Sequence, residues 1–351
     1  MCNKNMSCKY DSYLGRVRCG MKLNTKVSKE EIMKFYLAPM EGVTTHIFRR
    51  AYHNTFKAMD KYFTPFIVPH TQKKMSEKEW AELNPEHNKG MYVVPQILTN
   101  QAEDFVRTAK MLYSHGYEEV NLNLGCPSRT VVTKGRGCGF LEDPVKLDRF
   151  FDEVFERLGG EGKVSVKTRI GLSSPLEFED LLTVYDKYPL EELIIHPRLQ
   201  TDYYRNTPNW DIFEEAVKTS KHVLCYNGDI FSKEDYEKFV ERFPQIDRVM
   251  LGRGIVAYPE LLDLIAGQEG HDYKKLRKYH DEVLMEYEKI MSGDRNLLYR
   301  MKEFWSYFQH NFPEDPKLWK KIKKCEKMAV YHNIVDDAFA GRTALLTEVN
   351  F

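Results

Sequence analysis

Residues 120–128 of the chain read Val-Asn-Leu-Asn-Leu-Gly-Cys-Pro-Ser. The first five residues place apolar side chains at every second position, which is typical of a β-strand. Gly125 and Pro127 then interrupt the run and indicate a turn. The stretch therefore predicts a strand that ends by presenting Cys126 to a loop.

Seven more short apolar runs occur in the chain, and longer amphipathic stretches separate them. The eight runs are Phe35 to Met40, Tyr62 to Phe66, Val93 to Leu98, Val120 to Cys126, Val164 to Ile170, Glu192 to Arg198, Val223 to Asn227 and Arg248 to Gly252. This alternation indicates repeated βα units and a parallel sheet. Eight units over about 230 residues predict an α/β fold, a (β/α)8 TIM barrel, for which roughly 250 residues are typical. An open doubly wound sheet is the alternative, and it usually has fewer strands.

The strand pattern ends after Gly270. Five large apolar residues then recur at helical spacing: Leu297, Met301, Phe304, Trp305 and Phe308. This spacing predicts a small helical bundle. The start of the chain shows neither the strand pattern nor the helical spacing of apolar residues. We therefore predict an N-terminal extension with little order over residues 1–34, a catalytic barrel over residues 35–270 and a helical domain over residues 271–351.

The composition is that of a soluble globular enzyme. Of the 351 residues, 30% are charged and 42% are hydrophobic. The formal net charge is zero, which disfavours a protein that coats nucleic acid through charge alone. No apolar stretch approaches the roughly 18 residues of a membrane span, and Met1 to Asn24 lacks the apolar centre of a secretion signal. We expect a cytoplasmic protein without membrane contact.

The seven cysteines are expected to be thiols, because disulfides are rare in large intracellular chains. Cys2, Cys8 and Cys19 are too irregularly spaced for a zinc site. No other spacing in the chain supports a metal site, and we expect no metal.

One segment near the C-terminal end concentrates positive charge. Six lysines occur there around a single acid, Glu326: Lys317, Lys320, Lys321, Lys323, Lys324 and Lys327. Such a segment can contact phosphate groups, and a solvated helix face explains it equally well. Lys320, Lys321 and Lys324 are our candidates for phosphate contact.

Polar and glycine residues gather where the predicted strands end. In a barrel the binding and catalytic groups lie at these carboxyl ends. The candidates, in strand order, are Pro39, Met40 and Glu41; Gln96; Asn123 and Cys126; Lys167 and Arg169; His196 and Arg198; Asn227, Gly228 and Asp229; Gly252 and Arg253. We therefore predict one site at the barrel mouth.

The last two strand ends indicate a phosphorylated ligand. Gly228 and Gly252 allow backbone N–H groups to approach an anion, and Arg253 adds a positive charge. The loops after strands seven and eight are the usual phosphate site of barrels. Each glycine taken alone is also explained by a tight turn.

Cys126 is the candidate reactive thiol. Free cysteines are more often buried and inert, but Cys126 follows a strand end beside Asn123. Cys138, in a glycine-rich loop, is better explained by packing. Lys167 on strand five needs an anionic or acceptor partner if it points inward. His196 alone suggests a core histidine, but Arg198 on the same face of the strand favours a site.

These motifs resemble those of the tRNA-dihydrouridine synthases. The matching stretches are Ala38-Pro39-Met40, Leu122 to Ser128, Lys167-Thr168-Arg169, His196-Pro197-Arg198, Asn227 to Asp229 and Gly252 to Gly254. Their order and spacing hold from about residue 36 to residue 266. The helical tail also fits, through the run Arg300 to Trp305.

The resemblance implies an FMN cofactor across the barrel mouth. The residues expected near its ring are Pro39, Met40, Gln96, Lys167 and His196, and Glu41 is also expected to bind the cofactor. Those expected near its phosphate are Asn227, Gly228, Asp229, Gly252 and Arg253. NADPH, or NADH, is the implied reductant.

The resemblance further implies that the substrate is a uridine of tRNA, in the D-loop by our expectation. By the same resemblance, hydride is expected to go to C6 and Cys126 to give a proton to C5. Asn123, Arg169 and Arg198 are expected to contact the substrate, with the tail lysines holding the tRNA body. We expect the protein to act as a monomer.

Two other functions stay open on the sequence. One is an FMN-dependent barrel that reduces a free small molecule of the dihydroorotate or enoate type. The other is a non-catalytic RNA-binding protein. The lysine-rich helical tail disfavours the first, and the set Cys126, Lys167 and His196 disfavours the second.

Overall fold

The computed structural model of the protein describes residues 33–69 and 75–343. The predicted N-terminal extension, residues 1–34, lies outside the described residues except for its last two. Residues 344–351 of the predicted helical domain also lie outside them.

In the described residues, nine short parallel strands form one sheet. They are β1 Lys34–Leu37, β2 Lys61–Phe63, β3 Val93–Val94, β4 Gln96–Ile97, β5 Glu119–Leu124, β6 Lys163–Arg169, β7 Leu193–His196, β8 Leu224–Tyr226 and β9 Arg248–Leu251. Their order in the sheet is β3-β2-β1-β9-β8-β7-β6-β5-β4. Since β3 and β4 are halves of one extended run, the two ends of the sheet meet. The predicted eight-stranded barrel is confirmed.

Pro95 separates the two halves of this run. Proline has no N–H group to donate to a ladder, but its carbonyl still accepts from the N–H of Asn121 at 2.8 Å. On the other side, the N–H of Gln96 donates to Oγ1 of Thr64 at 3.1 Å. The run therefore bonds to β2 through its first half and to β5 through its second.

Some strands end before the residue that the sequence predicts. The apolar run predicts that β5 reaches Cys126, but the strand ends at Leu124. Oδ1 of Asn123 accepts hydrogen bonds from the N–H groups of Gly125, at 3.1 Å, and Cys126, at 2.9 Å. These two groups are thereby withdrawn from the ladder, and the chain turns into the mouth. β1 and β7 likewise end before the predicted residues.

Helices follow the strands. Those described are α1 His46–Thr55, α2 Glu77–Leu83, α3 Ala102–Ser114, α4 Arg129–Val132, α5 Pro144–Leu158, α6 Glu177–Tyr185, α7 Trp210–Thr219, α8 Lys233–Arg242, α9 Arg253–Ala257 and α10 Leu261–Ile265. The short helices α4 and α9 begin at the carboxyl ends of β5 and β9. The start of α5 follows from its sequence. Pro144 takes the first position, and the Asp143 carboxylate accepts from the N–H of Lys146 at 3.0 Å.

The chain after Gly270 is helical, as predicted. It forms α11 Tyr273–Ile290, α12 Asp294–Phe308, α13 Leu318–Lys324 and α14 Met328–Thr343. The ring of Tyr279 on α11 lies 6.0 Å from the ring of Phe48 and 5.2 Å from the ring of Phe56, both on the barrel side. The helical region therefore shares apolar contacts with the barrel, and the domain boundary near residue 270 stays a prediction.

Charged side chains close the amino end of the barrel interior. Nζ of Lys61 lies 2.6 Å from Glu119 and 2.8 Å from Glu192. Nη1 of Arg248 lies 2.9 Å from Glu192. Above this network a buried, largely apolar cluster fills the interior: Tyr36, Ala38, Phe63, Val94, Ile194, Cys225 and Met250. The packed interior leaves ligand space at the opposite, carboxyl end.

Candidate active site

A cavity of about 410 Å³ lies at the carboxyl ends of the strands, within the usual size range of cofactor sites. Most of the predicted site residues line it: Pro39, Met40, Glu41, Asn123, Cys126, Lys167, Arg169, His196, Asn227, Gly228, Asp229, Gly252 and Arg253. Six strand ends thus meet at one mouth.

Gln96 and Arg198 lie behind the cavity wall and do not line it. Nε2 of Gln96 donates to Asn121 at 2.8 Å, and its Oε1 accepts from Asn123 at 2.7 Å. Arg198 is buried and pairs with Asp229. Contact of either residue with a ligand stays a prediction.

The three candidate lysines of the tail lie on α13 and are exposed. They do not line the cavity. Nζ of Lys321 lies 3.3 Å from Asp315, whereas Lys320 and Lys324 have no ion pair with any described residue. Their contact with tRNA stays a prediction.

Asn123 fixes the backbone of Cys126. Its carboxamide accepts the Cys126 N–H and donates to Gln96, which in turn bonds to Asn121. Nδ2 of Asn121 donates to Oγ of Ser165 at 2.9 Å. This chain of buried amides joins three strands, so the position of Cys126 is set by the barrel itself.

Arg169 holds the cysteine loop against the loop after β7. Its Nε donates to the carbonyl of Gly125 at 3.2 Å. Its Nη1 and Nη2 donate to the carbonyls of Leu199 and Tyr203, each at 2.7 Å. Gln200 adds a further link, from its Nε2 to the carbonyl of Pro127 at 3.2 Å. The structure shows that Arg169 organises the cavity wall, and its contact with substrate stays a prediction.

The two cysteines near the mouth differ in accessibility. Cys126 is partly buried, and this burial raises the pKa of its thiol. Cys138 is fully buried, and burial raises its pKa to about 12. Both thiols are therefore protonated at neutral pH, but only Cys126 faces the cavity.

Lys167 and His196 both line the cavity, and burial shifts the pKa of both side chains. Burial and the charge of Arg169 lower the pKa of Lys167 to about 8. No described carboxylate pairs with Lys167, and an anionic group beside it would raise this pKa again. Burial and the neighbouring cations lower the pKa of His196 well below its ordinary value. Since Arg198 donates to Nε2 of His196 at 3.1 Å, we assign the ring proton to Nδ1.

Two arginines share one carboxylate at the predicted phosphate end. Arg198 pairs with Asp229, and Nη2 of Arg253 lies 2.5 Å from Oδ1 of the same residue. Two guanidinium groups against one carboxylate leave an excess of positive charge. Arg253 also lines the cavity, where an anionic ligand group would complete this balance.

Glu41 connects the mouth to helix α2. Nζ of Lys78, on α2, lies 3.7 Å from Oε1 of Glu41. Burial raises the pKa of Glu41. Deeper in the protein, Nη1 of Arg49 donates to Glu82 at 2.8 Å and anchors α2 to α1. Helix α2 is thereby attached to the rim of the site.

Sequence reasoning missed three tyrosines at the mouth: Tyr203, Tyr204 and Tyr307. Tyr204 is 51% exposed, and its ring lies 4.5 Å from the guanidinium carbon of Arg253 and 5.2 Å from that of Arg169. Two adjacent tyrosines shortly after a strand end were a usable signal. Nothing in the sequence marks Tyr307, because its place depends on how α12 packs against the barrel.

Within residues 33–69 and 75–343, no helix is both long and apolar enough to cross a membrane. The same residues contain no group of three or more histidine, cysteine, aspartate or glutamate side chains arranged to hold a metal ion.

The sequence profile of one protein family, described as "Dihydrouridine synthase (Dus)", matches residues 36–344. The tRNA-dihydrouridine(16) synthase of Shewanella oneidensis is 26% identical over 302 residues, which cover 83% of this chain and 93% of the relative. The protein of the same name from Pseudomonas putida is 26% identical over 304 residues and covers the same shares.

Two solved structures resemble the fold. Histamine dehydrogenase from Rhizobium sp. 4-9 aligns with a TM-score of 0.53 at 10% identity, covering 68% of this chain and 48% of that chain. A 2-naphthoyl-CoA reductase complex aligns with a TM-score of 0.50 at 10% identity, covering 66% and 50%. At this identity the likeness is one of fold.

Proposed function

Because the chain belongs to the dihydrouridine synthase family, we propose that it is a cytoplasmic, monomeric tRNA-dihydrouridine synthase that uses FMN and takes its electrons from NADPH. The observation that carries this proposal is the protonated Cys126 thiol, fixed at a barrel mouth that is rich in cations. The similar proteins from Shewanella oneidensis and Pseudomonas putida, named for tRNA and for position 16, support the substrate.

The residues at the mouth fit FMN. Lys167 lacks a carboxylate partner among the described residues, as expected where a ligand supplies the acceptor. At the other end, Arg198 and Arg253 leave positive charge in excess of the single Asp229 carboxylate, and Arg253 lines the cavity, which fits a phosphate group. When bound, FMN supplies the two electrons that reduce the uracil double bond.

The raised pKa of the Cys126 thiol supports its role as a proton donor. A general acid must hold its proton until the acceptor atom arrives. Burial keeps the Cys126 thiol neutral, and Asn123 holds its backbone in place. Arg169 fixes the adjacent Gly125 carbonyl. These features support Cys126 as the donor of a proton to C5 of a uracil, which must leave the tRNA stack to reach the cavity.

Reduction of a free small molecule is the second candidate, because the same mouth would hold FMN for it. Tyr307 from the helical region lines the cavity, and a lysine-rich helix lies in the same region. A large substrate that contacts both regions explains this arrangement better than a small one does.

We further propose that the reduced uridine lies in the D-loop. Dihydrouridine should be mapped position by position in tRNA from cells with and without the protein. Loss at one D-loop position supports the proposal, and an unchanged pattern contradicts it.

Arg253→Ala should weaken FMN binding by about 1.5 to 3 kcal/mol, the usual range for a hydrogen bond to a charged group. Fluorescence titration of the cofactor-free protein with FMN measures this. Arg242→Ala is the matched control, since Arg242 pairs with Glu214 on the barrel surface. Equal FMN affinity in the two variants would show that Arg253 does not bind the FMN phosphate.

Replacement of Lys320, Lys321 and Lys324 by Gln should weaken tRNA binding and reduce the slope of log affinity against log salt by up to about two to three units. FMN binding should not change. The control variant replaces Lys57, Lys89 and Lys221, three exposed lysines that precede strands and so lie at the opposite end of the barrel. Equal salt slopes in the two triple variants would show that the α13 lysines are exposed to solvent and do not contact tRNA.

A further inference from the structure

The segment that follows Cys126 carries positive charge without any acid. We call residues 127–139 the cationic loop. It contains Arg129, Lys134 and Arg136, and no aspartate or glutamate occurs between Val120 and Leu141. Arg129 and Lys134 are exposed, and Arg136 is half-buried.

These three cations are not neutralised within the described protein. No carboxylate among residues 33–69 and 75–343 forms an ion pair with Arg129, Lys134 or Arg136. Elsewhere on the barrel surface several exposed cations do have such a partner, as Arg157 has Glu153 at 2.7 Å. The charge of the loop is therefore available to an anion.

The cationic loop is held in place beside Cys126. The N–H of Cys138 donates to the Cys126 carbonyl at 3.1 Å. Nδ2 of Asn100 donates to the carbonyls of Lys134 and Gly135, each at 3.1 Å. The cations are thus presented from a loop whose backbone is already ordered.

Two glycines in the loop are required by packing. A Cβ at Gly139 would lie 2.4 Å from the Val132 carbonyl oxygen, and one at Gly137 would lie 2.8 Å from the Cys126 carbonyl oxygen. The loop therefore folds back tightly on itself and on Cys126. This closeness holds the backbone of the loop against Cys126, and its three cations lie on that loop outside the lining of the cavity.

We propose that Arg129, Lys134 and Arg136 bind phosphate groups of the tRNA backbone next to the uridine that is reduced. The inference rests on the proposed function. If the uracil reaches Cys126, the backbone of its own nucleotide must cross the rim that begins at Cys126. Phosphate contacts at that rim fix the register of the RNA without reading its sequence.

A phosphate can also come from the dinucleotide reductant, and the experiment separates the two sources. A variant with Arg129→Gln, Lys134→Gln and Arg136→Gln is compared with the control variant of Lys57, Lys89 and Lys221. Both lose three positive charges. The measurements are tRNA affinity against salt, FMN affinity, and the dependence of flavin reduction on NADPH concentration.

The loop variant is expected to lose about one to two units of salt slope with tRNA, at roughly 0.7 per single-strand phosphate contact. FMN affinity and the NADPH dependence should match the control. A salt slope equal to the control overturns the inference. So does a changed NADPH dependence with an unchanged tRNA slope, which would assign the loop to the reductant.

Loss of FMN binding in the triple variant would indicate that the variant is misfolded. The double variant Arg129→Gln, Lys134→Gln, which changes exposed side chains only, then replaces it with the same expected direction. Failure of the proposed function is distinguishable, because the wild-type protein would then form no dihydrouridine in tRNA. If the wild type forms dihydrouridine and the loop variant behaves like the control, only the role of the loop is overturned.

Discussion

Cys126→Ala is expected to slow reoxidation of the flavin by tRNA roughly 10² to 10⁴-fold, the usual contribution of a positioned general acid. Reduction of the flavin by NADPH should keep its wild-type rate, because that step needs no proton from the thiol. Anaerobic stopped-flow absorbance measures both steps, first with NADPH and then with tRNA that lacks dihydrouridine.

Cys138→Ala is the matched control for this prediction. Cys138 is also a neutral thiol in the same part of the fold, but it is fully buried and does not line the cavity. It should reoxidise at close to the wild-type rate. Wild-type reoxidation in Cys126→Ala, together with slow reoxidation in Cys138→Ala, would show that the wrong cysteine was named.

Trp305→Ala should lower the free energy of unfolding by about 3 to 5 kcal/mol, the usual cost of truncating a large core side chain. Trp305 is fully buried on α12 and packs beside Phe308 and Phe312, with ring centroids 5.1 and 5.4 Å away. Its Nε1 donates to the Tyr331 hydroxyl at 2.7 Å. Urea unfolding of the cofactor-free protein, followed by circular dichroism, measures the change.

Two variants of α12 separate the causes of this loss. Trp305→Phe keeps a ring but removes the hydrogen bond, and it should cost much less than the alanine variant. Tyr299→Ala changes a side chain that is 69% exposed and should stay within about 0.5 kcal/mol of wild type. A loss below about 1 kcal/mol for Trp305→Ala would contradict the packing argument.

The same unfolding curves test the predicted boundary near residue 270. The contacts of Tyr279 with Phe48 and Phe56 lead us to expect one transition for the barrel and the helical region together. Two separate transitions would show that the region over residues 271–351 unfolds apart from the barrel.

The eight strands were predictable because buried parallel strands leave short apolar runs with a strong local pattern. Their carboxyl ends were less predictable. The end of β5 depends on the Asn123 side chain, which takes backbone N–H groups that a ladder would otherwise use. The Asn123 side chain bonds to backbone groups two and three residues further along the chain. The alternation of apolar and polar residues does not reveal such bonds.

The sequence predicted which strand ends form the site, but not which of their side chains line the cavity and which lie behind its wall. Cys126 and Lys167 line the cavity as expected, whereas Gln96 and Arg198 lie in buried networks behind it. All four lie in predicted strands, within three residues of their carboxyl ends. Which of these side chains reaches the ligand depends on neighbouring side chains from other strands. The sequence of one strand does not predict those neighbours.

Tyr307 gives the barrel mouth a wall from outside the barrel. A module that only tethers RNA can be gained, lost or exchanged between enzymes without altering their chemistry. A module that completes the cavity is inherited under a stricter constraint, because any replacement must also restore the wall. A chimera that keeps the barrel and carries a foreign RNA-binding module in place of α11 to α14 would therefore bring its substrate to a mouth left open on one side.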